Sequence, residues 1–246
     1  QPMTVLNSII AKQLIAFKAD VDVLISKKDM KKDDAIFNVL REYIISSQRI
    51  LFEGNGYGDA WEAEAKKRGL SNNKTTPQAL KVQVAKSTID LYESLGVMNK
   101  TEIEARHEIE VEEYTLRVQI EARVLGDIAR NHVVPTALKY QNTLIENVKG
   151  LKDIYGAGFK KLAAEQLLLI EDISGHVAAI NSGVTALINE RKTANKIEDA
   201  NKKAVTYCDK VKPLFDTIRY HCDKLELLID DELWPLTKYR ELLFTK

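Results

Sequence analysis

The sequence predicts an all-α protein: short helices first, then a long antiparallel bundle of about three helices with a docked C-terminal tail. Three observations carry this. The 246 residues include only eleven glycines and five prolines, about half the average usage, which starves a β-sandwich or barrel of turns. Apolar residues recur at steps of three and four over long stretches. No segment alternates with the period of two that marks a strand.

Residues 3–26 read as an amphipathic helix built on Val5, Leu6, Ile9, Ile10, Leu14, Phe17, Val21, Leu24 and Ile25. A polar stretch, residues 27–34, interrupts it, and a second helix runs over residues 35–49. The loop Glu53-Gly54-Asn55-Gly56-Tyr57-Gly58 follows. Asp59 can cap a short helix that ends at Gly69, and Pro77 suits the first turn of the next. A helix over residues 87–95 stops at Gly96.

Thr101 with Glu104 has the capping-box spacing. From there a helix runs to about residue 155, kinked at Pro135. Such a rod would be roughly 80 Å long. Val111, Tyr114, Val118, Ala122, Leu125, Ala129 and Val133 form one apolar stripe, and Leu116, Ile120, Val124 and Ile128 a second. A helix apolar on two sides is expected to lie between partners. Gly156 and Gly158 make the turn. Two more seams follow, Phe159 to Leu187 and Ile197 to Ile229, each averaging about 3.5 residues per step. Three long helices with short turns predict an antiparallel bundle. The expected organisation is residues 1–98 as short helices, 99–230 as the bundle and 231–246 as an apolar docking tail carrying Trp234 and Phe244. That tail is expected to fold back on the short helices of residues 3–95.

Charge and cysteine content narrow the function. Lysine plus arginine equals aspartate plus glutamate, 36 against 36. A neutral chain has no field to draw it onto a phosphate backbone, so nucleic-acid binding is not expected. No apolar run is long enough to span a membrane. Cys208 and Cys222 fall in the apolar seam of one helix and suit a reducing, cytoplasmic compartment.

Glu104 and His107 form an E-x-x-H pair, the spacing used by di-iron bundles. Such sites need a second E-x-x-H, and the sequence has none, so a charged surface is the better reading. The loop at residues 54–58 lacks the preceding strand of a dinucleotide fingerprint and the lysine of a Walker loop. It reads as a tight turn needing positive φ. No position is assigned as catalytic, cofactor-binding or metal-binding. Asn55, Tyr57, Trp61, Trp234 and Phe244 are the candidate interface residues, because large part-apolar groups favour interfaces.

Four blocks are distinctive: residues 4–11 (TVLNSIIA), residues 49–80 (RILFEGNGYGDAWEAEAKKRGLSNNKTTPQAL), residues 105–114 continuing through 120–140, and residues 222–244 (CDKLELLIDDELWPLTKYRELLF). Together they resemble the C-terminal part of type III glutamine synthetase, a glutamate–ammonia ligase. Gly58 stands where the family usually has serine, and Thr237 where it usually has proline. The resemblance implies a longer parent enzyme that makes glutamine from glutamate, ammonia and ATP through a glutamyl phosphate, with Mg or Mn ions. It implies that the metal ligands and phosphate-handling arginines lie in an upstream catalytic domain and map onto no position here. This region is then expected to be inactive alone and to need no cofactor of its own. Its expected partners are that upstream domain and other subunits of a homo-oligomer of stacked hexameric rings. The alternative is a free-standing helical scaffold or sensor module.

Overall fold

The computed structural model describes residues 2–244, and all regular structure among them is helical. The chain divides into two compact units, Gln1–Glu110 and Val111–Lys246.

In the first unit, α1 (Pro2–Lys28) pairs with α2 (Lys32–Ser46). Asp29, in the turn between them, has φ of 49°. Val21, Ala35 and Val39 are buried between the two helices, with Phe17, Leu24, Met30, Ile36 and Tyr43 packed around them. Phe17 meets Tyr43 edge-on at 5.9 Å. The Tyr43 hydroxyl donates to Asp20 at 2.6 Å, and that bond to a carboxylate raises the phenol's pKa. Next come α3 (Asp59–Lys67), α4 (Thr76–Lys81) and α5 (Lys86–Ser94). Gly69 and Gly96 end α3 and α5 at φ of 73° and 64°, the left-handed conformation expected of them. Asp59 is the first residue of α3 rather than its cap; Gly58, at φ of −89°, holds that place.

The helix α6 (Lys100–Asp127) crosses the boundary between the units. Its capping box is not Thr101–Glu104. Asn99 accepts from the Glu102 amide at 2.9 Å, and Glu102 accepts from the Asn99 amide at 2.8 Å. Asparagine caps as well as threonine, and here it lies one residue before the helix.

In the second unit the chain continues through a π-helical segment, Ile128–Val133, into α7 (Val134–Tyr155). Pro135 cannot donate to a carbonyl one turn back, and a widened turn just before it absorbs the mismatch. The predicted kink therefore takes the form of a π-segment. Gly156, at φ of 53°, turns the chain into the one-turn α8 (Phe159–Leu162) and then α9 (Ala164–Asn195). The third long helix is interrupted, although its seam predicts a continuous rod. It comprises α10 (Ala200–Thr206), a second π-segment at Tyr207–Val211, and α11 (Pro213–Leu228). The Lys212 amide donates five residues back to the Tyr207 carbonyl at 2.9 Å. Pro213 plays here the part that Pro135 plays in the first break.

The expected seams form one core. Val118, Ala122, Ala129 and Val133 meet Ile173, Ile180, Val184 and Leu187, and both meet Val211, Ile218, Leu225 and Ile229. Tyr207, which the heptad count passed over, is fully buried at the centre. It lies three residues after Ala204 and four before Val211, both fully buried, so it shares their stripe, and its hydroxyl donates to Asn195 at 2.6 Å. A Cβ on Gly183 would lie 2.9 Å from Cγ1 of Ile218, so glycine permits the close approach of α9 and α11.

Candidate interface

The glycine loop is clamped from one side. Arg68 donates to the Leu51 carbonyl at 2.5 Å and the Arg49 carbonyl at 3.3 Å, and pairs with Glu64 at 2.7 Å. The same guanidinium lies 5.9 Å from the centre of the Phe52 ring. Phe52 in turn stacks on Trp61 with centroids 4.4 Å apart. Arg68 therefore holds the chain entering the loop, while α3 presents Trp61 to it. The Glu64–Arg68 spacing was visible in the sequence; the reach back to residues 49 and 51 was not.

Within the loop, Asn55 accepts from the Tyr57 amide through Oδ1 at 3.0 Å, and its carbonyl accepts from the Gly58 amide at 3.2 Å. None of Gly54, Gly56 and Gly58 has positive φ, contrary to the turn predicted for them. Gly54 is required for space instead: a Cβ there would sit 2.8 Å from the Phe52 ring. The Asx turn leaves Tyr57 fully exposed at the tip. Tyr57 and Trp61 also border a hollow of about 510 Å³, shared with Glu62, Ala65, Leu70 and Asn72. Glu62 on its rim pairs with Lys74 at 2.5 Å, and that ammonium holds its carboxyl below the usual carboxylate range.

The other two candidate residues part company. Trp234 is only 8% exposed and belongs to the core of the second unit, not to a surface on the short helices as expected. Its indole N–H is buried without a hydrogen-bond partner. Lys238 secures the turn after it, donating to the Glu226 carbonyl at 3.1 Å and pairing with Asp231. Phe244 is 81% exposed on the short helix α12 (Tyr239–Leu242) and its C-terminal extension, with Tyr239 and Leu243 open beside it.

Larger apolar faces lie elsewhere. On α1, Met3, Leu6, Ile9, Ile10, Leu14 and Ile15 are all exposed, as are Phe37, Leu40, Ile44 and Ile45 on α2. On α6 the second stripe, Leu116, Ile120 and Val124, is about half exposed, so within the described residues of the second unit it is not sandwiched as predicted.

The remaining motifs separate rather than converge. Glu104 pairs with Lys100 at 3.6 Å, while His107 is buried. Among the described residues no group of three or more His, Cys, Asp or Glu side chains is placed to hold a metal ion. Burial pushes the Cys222 thiol up to about 11, with Asp223 adding to the effect. Among the described residues no helix is long and apolar enough to cross a membrane.

Residues 35–152, from the first turn of α2 to the last turn of α7, match the family model of the glutamine synthetase C-terminal domain. That stretch belongs to the family. It is 45% identical over 245 residues to a glutamine synthetase of Bacteroides fragilis (strain YCH46), covering 99% of this chain and 34% of that protein. It is 28% identical over 249 residues to a type-3 glutamine synthetase of Dictyostelium discoideum, covering 100% of this chain and 33% of that one. A glutamine synthetase of Butyrivibrio fibrisolvens is 28% identical over 212 residues, 86% of this chain and 30% of its own length. This glutamine synthetase C-terminal region thus spans about a third of the length of the curated relatives it matches.

Proposed function

We propose that this chain is the non-catalytic helical C-terminal region of a type III glutamine synthetase, and that its role is structural, in subunit assembly. The whole protein forms glutamine from glutamate, ammonia and ATP through a glutamyl phosphate. ATP and the Mg or Mn ions belong to an upstream catalytic domain. This region takes no step of the chemistry.

The observation that carries this reading is the open apolar face of α1. Leu6, Ile10 and Leu14 lie one turn apart, and all are more than half exposed. Fully burying each is worth about 1.5–3 kcal/mol, and contiguous exposed apolar surface of this kind marks an interaction site. The relatives supply the partner's source: about two thirds of their length lies outside the match. The upstream domain of the same polypeptide covers α1, and the exposed Tyr57 meets a neighbouring subunit.

The test uses the full-length protein. Leu6, Ile10 and Leu14 are changed together to glutamate, and Tyr57→Ala is made separately. Sedimentation should show the triple variant failing to assemble and Tyr57→Ala assembling more weakly, with ATP affinity unchanged in Tyr57→Ala. Normal assembly and turnover in the triple variant would reject the reading.

A further inference from the structure

His176 on α9 and His221 on α11 face each other with Nδ1 atoms 2.9 Å apart. The ring centroids are 5.2 Å apart, which is that distance plus the two centre-to-nitrogen radii of an imidazole. Both nitrogens therefore lie on the line joining the rings, and their in-plane axes point at one another. A metal bound by both would need lone pairs converging on a common point off that line. A metal on the line, at about 2.0–2.1 Å from each nitrogen, would need the nitrogens about 4 Å apart. The geometry is that of a hydrogen bond, with one Nδ1–H donating to the other ring's bare Nδ1.

We propose that this pair is a proton-operated latch between α9 and α11, closed while the two rings share a single Nδ1 proton and opened when both rings are cationic. With both rings neutral, one donates and the other accepts. A first added proton keeps the bond, since an imidazolium donates to the remaining neutral Nδ1, and charge strengthens it. A second proton leaves two N–H groups and two positive charges face to face, and nothing accepts.

The surroundings offset that second charge only in part. Asp172, one turn before His176 on α9, favours protonation, while Lys224 on α11 opposes it. Tyr220 of α11 lies edge-on to His221 at 5.2 Å, and the Lys224 ammonium sits over that phenol at 5.4 Å. Arg219 and Asp223 of α11 pair with each other at 3.4 Å. From α7, Tyr140 packs on the core, and the uncharged Gln141 bonds to the Ile170 carbonyl and Ser174. From the π-segment Ile128–Val133, Arg130 is committed to Asn181 and Thr185, and His132 is exposed. Burial first, then His221, hold His176 below its ordinary value. A depressed histidine contributes stability that is present above about pH 6.5 and lost as pH falls below it. The latch opens on the acid side.

Thermal unfolding of the 246-residue chain from about pH 7.5 to about pH 5 tests it, beside His176→Gln and His221→Gln. Wild type should lose about 2–4 °C more than either variant over that range. Equal losses would overturn the latch. Nitrogen NMR of the wild-type imidazoles gives a readout that needs no variant. Two linked titration steps, the second displaced to acid, are expected of a shared proton. Two independent, ordinary titrations would overturn it, as would stabilisation by added zinc that is lost in His176→Gln.

Discussion

The two units solve the burial problem to different degrees. In Val111–Lys246 three long helical segments close on a core that is continuous from Val118 to Trp234. In Gln1–Glu110 the buried cluster comes down to Val21, Ala35 and Val39 with a few partly buried neighbours, while most apolar side chains of α1 and α2 face outward. Both units are helical and similar in length. The difference lies in how many apolar stripes find a partner within the chain. A stripe that finds one becomes core; a stripe that does not is surface available to something else.

Three measurements would break or sharpen that contrast. The largest effect is expected at the two aromatic residues of the tail. Trp234→Ala removes a buried anchor of the second unit and should cost about 3–5 kcal/mol, whereas Phe244→Ala should stay within about 0.5 kcal/mol. Chemical denaturation of both variants checks this, and equal losses would mean that the tail docks as a whole. Next is a matched isoleucine pair. Ile218→Ala, fully buried against Gly183, should cost about 2–5 kcal/mol, while Ile10→Ala on the open face of α1 should cost less than about 0.5 kcal/mol. A large cost at Ile10 would show that α1 is already covered when the chain is alone. The smallest effect is chemical. Cys222 has its thiol pushed up to about 11 by burial, so at about pH 8 its thiolate is roughly a hundredfold scarcer than in the unfolded chain. Alkylation should be slower by a similar factor and accelerate in denaturant. The same shift costs stability above about pH 9, where the unfolded thiol ionises and the folded one does not.

The candidate interface was only partly legible. Asn55, Tyr57 and Trp61 do cluster around one loop, and their residue types pointed there. Arg68 and Phe52, which shape that loop, were missed because their contacts run to backbone carbonyls 17 and 19 residues away and to a ring stack. Trp234 and Phe244 looked alike as large apolar residues in a tail. One is buried and the other open, and only the path of the chain after Asp230 separates them.

The sequence by itself determined the helices, their ends at Gly69, Gly96 and Gly156, and nearly every residue of the bundle seam. Those features follow from local sterics and from a periodicity of three and four that each segment carries alone. It also held the family blocks that mark a glutamine synthetase C-terminal region. The tertiary structure decided what local rules leave open. Two prolines became π-segments, and the buried hydroxyl of Tyr207 found Asn195 as its partner. One face of α6 was buried and the other left bare, and two histidines 45 residues apart were brought onto one line. Each of these depends on which surfaces meet, and a helix's own periodicity does not specify its neighbour.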